Sequence, residues 1–226
     1  MKMSYENAKK GIGQIFTAEV LSLVAAILVI VASIVSVVGV ASMIAGGMDG
    51  SEAALGAGLA GAGVGVIFTV ISGILLLIAF ILYIVGVGNA AKDEENFKKA
   101  LLFLILALVC SIIGSFTTGV AGGVIAIILK VVSQVFELIS TILVIGGIIT
   151  LANKVGNANV EKKGQFVLKL IVVIICLSII FSLIGLIPAV AAGVIAGIMS
   201  IIASILSIVR YFVYLSLLAN AKNMFS

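Results

Sequence analysis

Six long apolar segments constrain this chain more than any other feature. Each meets or approaches the ~20 residues that a helix needs to cross a bilayer, and the longer ones predict tilted or kinked helices. They lack the period-two alternation of a barrel strand, so the α-helix is the structure that satisfies their backbone in lipid. We therefore predict an all-α membrane protein with six transmembrane helices. The segments are Gly11–Ala45, Ala60–Ala91, Ala100–Thr118, Ala121–Asn153, Gly164–Ile187 and Ala189–Ala221.

Composition argues against a soluble globular fold. The chain has 226 residues, of which 63% are hydrophobic and 10% are charged, and its mean hydropathy is +1.45. A soluble domain is roughly a quarter charged. So few charges cannot cover so much apolar side chain in water, whereas lipid tolerates an apolar outer surface. The first apolar run is too long for a cleaved signal peptide and predicts an uncleaved anchor.

A helical hairpin recurs three times along the chain. Each copy has a polar turn with paired lysines, a long apolar run, a glycine-rich break and a second apolar run. We expect one transmembrane domain, residues 1–226, built from repeats at 1–92, 93–154 and 155–226. Parallel repeats predict a pseudo-threefold axis along the membrane normal, with a circular order of helices as first choice and a flatter, linear packing as the alternative. The polar turns are Glu6–Lys10, Glu95–Lys99 and Asn159–Lys163.

Small residues recur at four-residue spacing where each second apolar run begins. Gly61 and Gly65 mark this break in the first repeat, whose greater length we attribute to an insertion in its outer loop from Gly46. A spacing of four places small residues on one helical face, where two backbones can approach closely. Helix packing is the first interpretation, and a gate at a constriction is the second. The equivalent residues of the other repeats are Gly119, Gly123, Ala189, Gly193 and Gly197.

Lysine placement predicts the orientation in the membrane. Eleven lysines lie towards the two chain ends and the two long polar connections, whereas the opposite connections carry Asp49 and Glu52 and no Lys or Arg. Cytoplasmic connections are enriched in Lys and Arg. We therefore expect an even number of spans with both termini in the cytoplasm. Nucleic acid is not an expected partner, because no basic patch is interleaved with aromatic residues.

Four ionisable residues fall inside the predicted spans: Glu19, Lys130, Glu137 and Arg210. Charges in the hydrocarbon are costly, and they are usually paired or functional. At 1.5 Å per residue, Glu19 and Arg210 reach a similar depth from the cytoplasmic face. The first and last helices of a closed ring are neighbours, so we predict a Glu19–Arg210 ion pair. Such a pair is either structural or part of a transport site.

Polar side chains form a stripe on the fourth and sixth predicted helices. Lys130, Gln134, Glu137 and Thr141 recur at the spacing of one helical face, and serines and tyrosines lie beside Arg210. Two interpretations stay open: a pathway between helices two, four and six, or interhelical hydrogen bonds worth around 1 kcal/mol or less each. The candidate intramembrane polar site comprises Glu19, Lys130, Gln134, Glu137, Ser204, Ser207, Arg210 and Tyr214.

Sequence patterns typical of enzymes and metal sites are absent. The chain has no histidine, which excludes H-E-x-x-H zinc sites and Ser–His dyads. It also has no Lys/Ser phosphate-binding loop. We expect no catalysis, no cofactor and no bound metal. Cys110 and Cys176 fall within spans, where we expect buried, small hydrophobic side chains rather than a disulfide.

Two segments resemble a known group of proteins. Lys92–Ala100 (KDEENFKKA) and Tyr5–Ile12 (YENAKKGI) are similar to segments of uncharacterised small multi-pass membrane proteins of Gram-positive bacteria. The resemblance implies a location in the bacterial cytoplasmic membrane. It implies no activity and no site residues.

Three classes of function are compatible with the sequence, and all have the lipid bilayer as a partner. In the first, the protein binds or passes a small solute or ion between helices two, four and six. In the second, it is a non-conducting accessory or structural protein that binds lipid, partner membrane proteins or a second copy of itself. In the third, it is a sensor that uses the polar turns Lys92–Lys99 and Lys154–Lys163.

Overall fold

The computed structural model describes residues 5–49, 52–117, 123–184 and 194–225. These residues form six α-helices, in agreement with the predicted all-α class. The helices are α1 (Glu6–Asp49), α2 (Glu52–Ala90), α3 (Glu95–Thr117), α4 (Gly123–Val155), α5 (Ala158–Ile184) and α6 (Val194–Asn223).

Within the described residues, four helices are long and apolar enough to cross a membrane. This finding supports the predicted membrane protein. Membrane crossing by α5 and α6 stays a prediction. The four spans, one in each of α1 to α4, are Glu6–Ser36, Gly63–Ala90, Glu95–Phe116 and Ile128–Val155.

The paired lysines lie inside helices and not in turns. Helices α1, α3 and α5 begin at Glu6, Glu95 and Ala158, ahead of the lysine pair of each repeat. The predicted polar turns at these positions are therefore wrong, because the helices extend beyond the apolar runs. An acidic residue in the first turn of each helix (Glu161 in α5) is favourable beside the partial positive charge of a helix N-terminus.

The extra length of the first repeat is also largely helical. Helix α1 continues to Asp49 and α2 begins at Glu52, so the expected loop insertion from Gly46 onward is wrong for the described residues. Alanine is the strongest helix former, and the alanines that follow Glu52 favour an extension of the helix over a loop.

The chain divides into two compact units, and each is described separately. The first comprises Met1–Phe16 and Ile84–Ser226, and the second comprises Thr17–Tyr83. The first unit thus includes the start of α1, the end of α2 and helices α3 to α6. Its lysine end is defined here as the starts of α1, α3 and α5 together with the ends of α2, α4 and α6.

The core of the first unit is concentrated at the lysine end. Helix α3 packs against α4, α4 against α5 and α5 against α6. Close contacts involve small residues: a Cβ at Gly147 of α4 would lie 2.6 Å from the Phe97 ring of α3. In lipid, van der Waals packing of this kind is a principal source of helix association. The largest fully buried side chains are Ile12, Ile15, Val87, Phe97, Val144, Ile145, Ile148, Leu151, Val167, Ile171, Leu217 and Leu218.

Asp93, in the turn between α2 and α3, caps the start of α1. Its carboxylate accepts a hydrogen bond from the backbone N–H of Ala8 at 2.7 Å and another from the side-chain amide of Asn7 at 3.1 Å. Such an acceptor satisfies a backbone donor that a helix start leaves open. The Asn89 amide also donates to Gln14 Oε1 at 2.7 Å, so α1 and the end of α2 are joined by polar contacts as well.

The next two carboxylates, Glu94 and Glu95, bind lysines of two different helices. Lys154 Nζ at the end of α4 donates to Glu94 at 2.6 Å, and the Glu94 side chain is only 8% exposed. Glu95 forms an exposed ion pair with Lys99 of its own helix at 3.1 Å. The turn between α2 and α3 therefore contacts the start of α1 and the end of α4 through consecutive acidic residues.

The first and last helices also meet at the lysine end. The rings of Tyr5 and Phe225 lie 6.3 Å apart, and Lys222 Nζ lies 5.5 Å from the centroid of the Phe16 ring. Together with the helix packing above, these contacts form a closed circuit from α1 through the α2–α3 turn, α4, α5 and α6 back to α1. The start of α1 and the end of α6 are therefore in contact, whereas the closed ring of six helices stays a prediction.

Glycines allow the start of α1 and the end of α2 to approach closely. A Cβ at Gly11 would collide with the backbone oxygen of Gly86 and lie 2.6 Å from the Ala90 nitrogen. A Cβ at Gly86 would lie 2.8 Å from the Gly11 oxygen and 2.9 Å from the Ile15 nitrogen. Only glycine fits at either position without displacing the partner backbone.

In the second unit, the predicted small-residue face of α2 packs against α1. A Cβ at Gly61 would lie 3.1 Å from the Gly39 Cα, and one at Gly65 would collide with the Ser36 hydroxyl. The helix-packing interpretation is therefore confirmed for the first repeat, with the hairpin partner on the other side of the contact. Gly119, Ala189 and Gly193 lie outside the described residues, and only the helical backbone of Gly123 and Gly197 is described.

We predict that Gly11→Ala lowers the thermal stability of the purified protein in detergent. The new Cβ must displace backbone atoms of α2, and overpacking of this kind costs about 1–3 kcal/mol. Gly13→Ala is the matched control, because a Cβ there meets nothing within 4 Å and alanine favours the helix. Gly86→Ala and Gly88→Ala form a second pair of the same design, since Gly88 is equally open. Equal melting temperatures within a pair would contradict the packing described here.

We predict that Glu94→Gln destabilises the lysine end. The substitution removes the negative charge that holds Lys154, and hydrogen bonds to charged groups contribute about 1.5–3 kcal/mol. Glu95→Gln is the control, because exposed ion pairs one helical turn apart contribute about 0.5 kcal/mol or less. Chemical unfolding in detergent should show a larger decrease in the free energy of unfolding for Glu94→Gln than for Glu95→Gln. Indistinguishable unfolding curves for the two variants would show that the Glu94–Lys154 pair stabilises the protein no more than the exposed Glu95–Lys99 pair does.

Candidate functional site

An ion pair joins α4 to α6. Arg210 Nη2 donates a hydrogen bond to Glu137 Oε1 at 2.8 Å. Both residues belong to the polar site predicted from the sequence. Helices α4 and α6 each pack against α5, which lies between them in the chain. The ion pair therefore adds a direct contact between α4 and α6.

The ion pair lies near the middle of both helices. At 1.5 Å per residue, Glu137 is about 21 Å from the start of α4 and about 27 Å from its end. By the same measure, Arg210 is about 24 Å from the start of α6 and about 20 Å from its end. A bilayer core is about 30 Å thick. If α6 crosses the membrane beside α4, as predicted, both charges lie at hydrocarbon depth.

The pair is only partly covered by the rest of the protein. The side chain of Glu137 is 51% exposed and that of Arg210 is 33% exposed. A charged side chain at the centre of a membrane helix costs roughly 2.5–3.5 kcal/mol on insertion scales, and such residues normally face a bundle interior, a water-filled cavity or a partner. Contact of the exposed side of this pair with water or protein is therefore more favourable than contact with acyl chains.

Three further polar residues of the predicted stripe accompany Glu137 on α4. The hydroxyl of Thr141 is directed to its own helix and donates to the Glu137 backbone carbonyl at 2.9 Å. Gln134 Oε1 is buried and accepts no hydrogen bond from the described residues, so it is an acceptor that a donor could still satisfy. Lys130 is exposed. The stripe on α4 thus combines a satisfied hydroxyl, an open amide oxygen and two charged groups.

Serines outside the predicted site join α4 to α3. Ser133 donates to the backbone oxygen of Ala107 at 3.0 Å, and its Oγ lies 2.7 Å from that of Ser111. Ser140 donates to the backbone oxygen of Ala100, also at 3.0 Å. The seven-residue spacing of Ser133 and Ser140 is the signal that could have identified this packing face from the sequence.

The other predicted site residues have different positions. Glu19 lies on α1 in the second unit and is partly buried, and its ion pair with Arg210 stays a prediction. Tyr214 is buried, one helical turn from Arg210. The side chains of Ser204 and Ser207 lie outside the described residues.

The two cysteines differ in their surroundings. Cys110 is partly buried, whereas Cys176 is exposed. The expectation of two buried thiols is therefore wrong for Cys176. A thiol behaves as a small hydrophobic group, so an outward position on an apolar helix face is compatible with contact to lipid.

The chemistry available at the ion pair is the exchange of ionic partners. A cation can compete with Arg210 for the Glu137 carboxylate, and an anion can compete with Glu137 for the Arg210 guanidinium. Gln134 adds one neutral acceptor on the same helix face. Among the described residues, no three His, Cys, Asp or Glu side chains come together as a metal site.

Comparison of the chain with protein-family models, with curated proteins and with solved structures finds no match. The resemblance to small membrane proteins of Gram-positive bacteria stays a prediction.

We predict that Glu137 and Arg210 are energetically coupled. Glu137→Gln or Arg210→Gln leaves one charge without its partner, and each should lower the free energy of unfolding in detergent. The double variant should be less destabilised than the sum of the singles, with a coupling energy of about 0.5–3 kcal/mol. A double-mutant cycle measures this coupling directly. Additive effects would show that the hydrogen bond contributes nothing in solution.

Proposed function

We propose that this protein binds a small ion or polar solute at the Glu137–Arg210 pair and passes it across the membrane. The observation that carries the proposal is the ion pair itself, with an N–O distance of 2.8 Å and a carboxylate that is half uncovered. The remaining site residues on α4, Lys130 and Gln134, extend the polar face along the helix. The proposed route runs along this face, between the even-numbered helices.

The energetics favour a functional role over packing alone. Interhelical hydrogen bonds in membranes average about 0.6 kcal/mol, whereas a charged residue at the helix centre costs roughly 2.5–3.5 kcal/mol. Ser133 and Ser140 already join α4 to α3 at low cost. A further contact that served only to pack α4 against another helix would need no charged residue. A glutamate and an arginine are suited to a site that exchanges ionic ligands.

The proposed architecture has six spans and a pseudo-threefold order of hairpins. Support comes from the closed circuit of contacts at the lysine end and from the position of Glu137 and Arg210 on two even-numbered helices. We place both termini on the cytoplasmic side of a bacterial membrane, because the lysines collect at one end of the hairpins. The role proposed for the chain is not enzymatic.

A second candidate is a non-conducting accessory protein. The same exposed ion pair supports it, because a second copy of the chain or a partner membrane protein could cover Glu137 in place of water. The direct Arg210–Glu137 hydrogen bond also favours a closed, static arrangement. In this case the pair would select a protein surface with a complementary polar group.

We predict that purified protein in liposomes supports a flux that depends on both charges. Dyes for protons, potassium and chloride, with a membrane-potential indicator, cover the ions that the two charges could bind. Glu137→Gln and Arg210→Gln should each reduce the flux at least tenfold, because each removes a charge from the site. Glu95→Gln is the control, since its ion pair is exposed and lies at the lysine end.

The outcomes separate the two candidates. Background flux in all variants, including the unaltered protein, would end the transport proposal for these ions. Flux that is equal in the unaltered protein and both site variants would place the route elsewhere. A stable dimer that Glu137→Gln dissociates, without any flux, would support the accessory protein.

A further inference from the structure

One face of α5 is exposed along most of the helix. Its exposed side chains follow each other at spacings of three or four residues, which is the period of a single helical face. The opposite face, which includes Val167 and Ile171, is buried against α4 and α6. We term the exposed series the α5 stripe; it consists of Lys162, Phe166, Lys169, Val173, Cys176 and Ile180.

The α5 stripe has a cationic part and an apolar part. Lys162 and Lys169 lie two helical turns apart, about 10 Å along the axis, with Phe166 between them. Neither lysine forms an ion pair with the described residues. Beyond Lys169, the stripe consists of a valine, a cysteine and an isoleucine. The order from the lysine end is therefore charge, aromatic ring, charge and apolar surface.

An equivalent face of α3 provides an internal comparison. Its exposed residues have the same spacing, and Lys98 occupies the position of Lys162. Ile105 stands where α5 has Lys169, so α3 presents one lysine and α5 presents two. The α3 stripe consists of Lys98, Leu102, Ile105, Val109, Ile112 and Phe116.

We propose that the α5 stripe binds a phospholipid with an anionic headgroup. Lys162 and Lys169 contact its phosphate oxygens, Phe166 lies at the depth of the glycerol, and the apolar part of the stripe contacts an acyl chain. Lysine attracts anionic lipid by about fivefold in affinity per residue near the surface. A soluble anion could neutralise the lysines but would leave the apolar part uncovered. The proposal rests on the proposed membrane crossing of α5.

Lys169 is the residue that distinguishes this site from general attraction to the membrane surface. It lies two turns further along α5 than Lys162, on the side that faces away from α4 and α6. Its flexible stem can extend towards the headgroup region while the helix remains in the apolar layer. Two lysines at different depths on one face define a position for one headgroup.

The exposed thiol of Cys176 allows a test at the stripe itself. The Cys110→Ala variant is labelled with a fluorophore on Cys176 and inserted into nanodiscs. One set of nanodiscs contains nitroxide-labelled phosphatidylglycerol, and the other contains nitroxide-labelled phosphatidylcholine with identical acyl chains. We expect stronger quenching by the anionic lipid. Lys162→Gln with Lys169→Gln should lower the relative affinity for phosphatidylglycerol by about 20–30-fold, which is fivefold for each lysine.

The matched control variant removes two lysines from the same end but from other positions. Lys92→Gln with Lys98→Gln has the same change in net charge, and it should leave the lipid preference at Cys176 within about twofold. A fluorophore at Ile112→Cys in a background without the native cysteines reports the α3 stripe. Its preference should be about fivefold weaker, because that stripe has one lysine.

Three results would overturn the proposal, each in a recognisable way. An equal loss of the preference for phosphatidylglycerol in both double variants would indicate attraction by diffuse surface charge rather than a site. Loss of the preference on addition of inorganic phosphate, at constant ionic strength, would indicate a site for soluble anions. No quenching by either lipid would show that α5 is not in contact with the membrane. None of these results depends on flux through the Glu137–Arg210 pair, so the two proposals can fail independently.

Discussion

The contacts of two consecutive carboxylates, Asp93 and Glu94, are the constraint on which the arrangement of the first unit depends. A short turn between two long helices offers few ways to fix their neighbours. Here Asp93 caps α1, Glu94 holds the end of α4, and Glu95 stays on its own helix. Two of these bonds connect segments that are more than fifty residues apart in the chain. Apolar packing in lipid is weakly directional by comparison, because acyl chains compete equally for apolar surfaces.

The same contrast between directional and non-directional contacts applies deeper in the unit. Glycine contacts and fully buried side chains give the lysine end its close packing. Away from that end, many apolar side chains are exposed, as expected where lipid is the surrounding solvent. The Glu137–Arg210 pair lies in this more open part. The side chains of a site that exchanges ligands must be able to move. A less closely packed region beside the closely packed lysine end is compatible with such motion.

Much of the helical architecture could be predicted from the sequence because it depends on the length of the apolar runs. The helix starts could not, because a polar Glu-Asn-Ala-Lys-Lys segment is compatible with a turn as well as with the first turn of a helix, and α1 in fact begins at Glu6. Glu137 and Arg210 could be selected as costly charges. Their hydrogen bond could not be predicted, because it depends on the relative rotation and depth of two helices, and the residues around each charge do not show these. The seven-residue spacing of Ser133 and Ser140 indicates one shared helix face, but the residue type alone does not tell whether such a hydroxyl bonds a neighbouring backbone or faces a cavity.

The contacts between the start of α1 and the end of α6 have a consequence for biogenesis. Tyr5 and Phe16 are made long before their partners, Phe225 and Lys222. The edge of α1 that these residues form therefore lacks its partners until the end of α6 has been made. During that interval, other helices in the membrane can reach the same edge. Assembly of the lysine end is then a competition in time between the chain's own last helix and such neighbours.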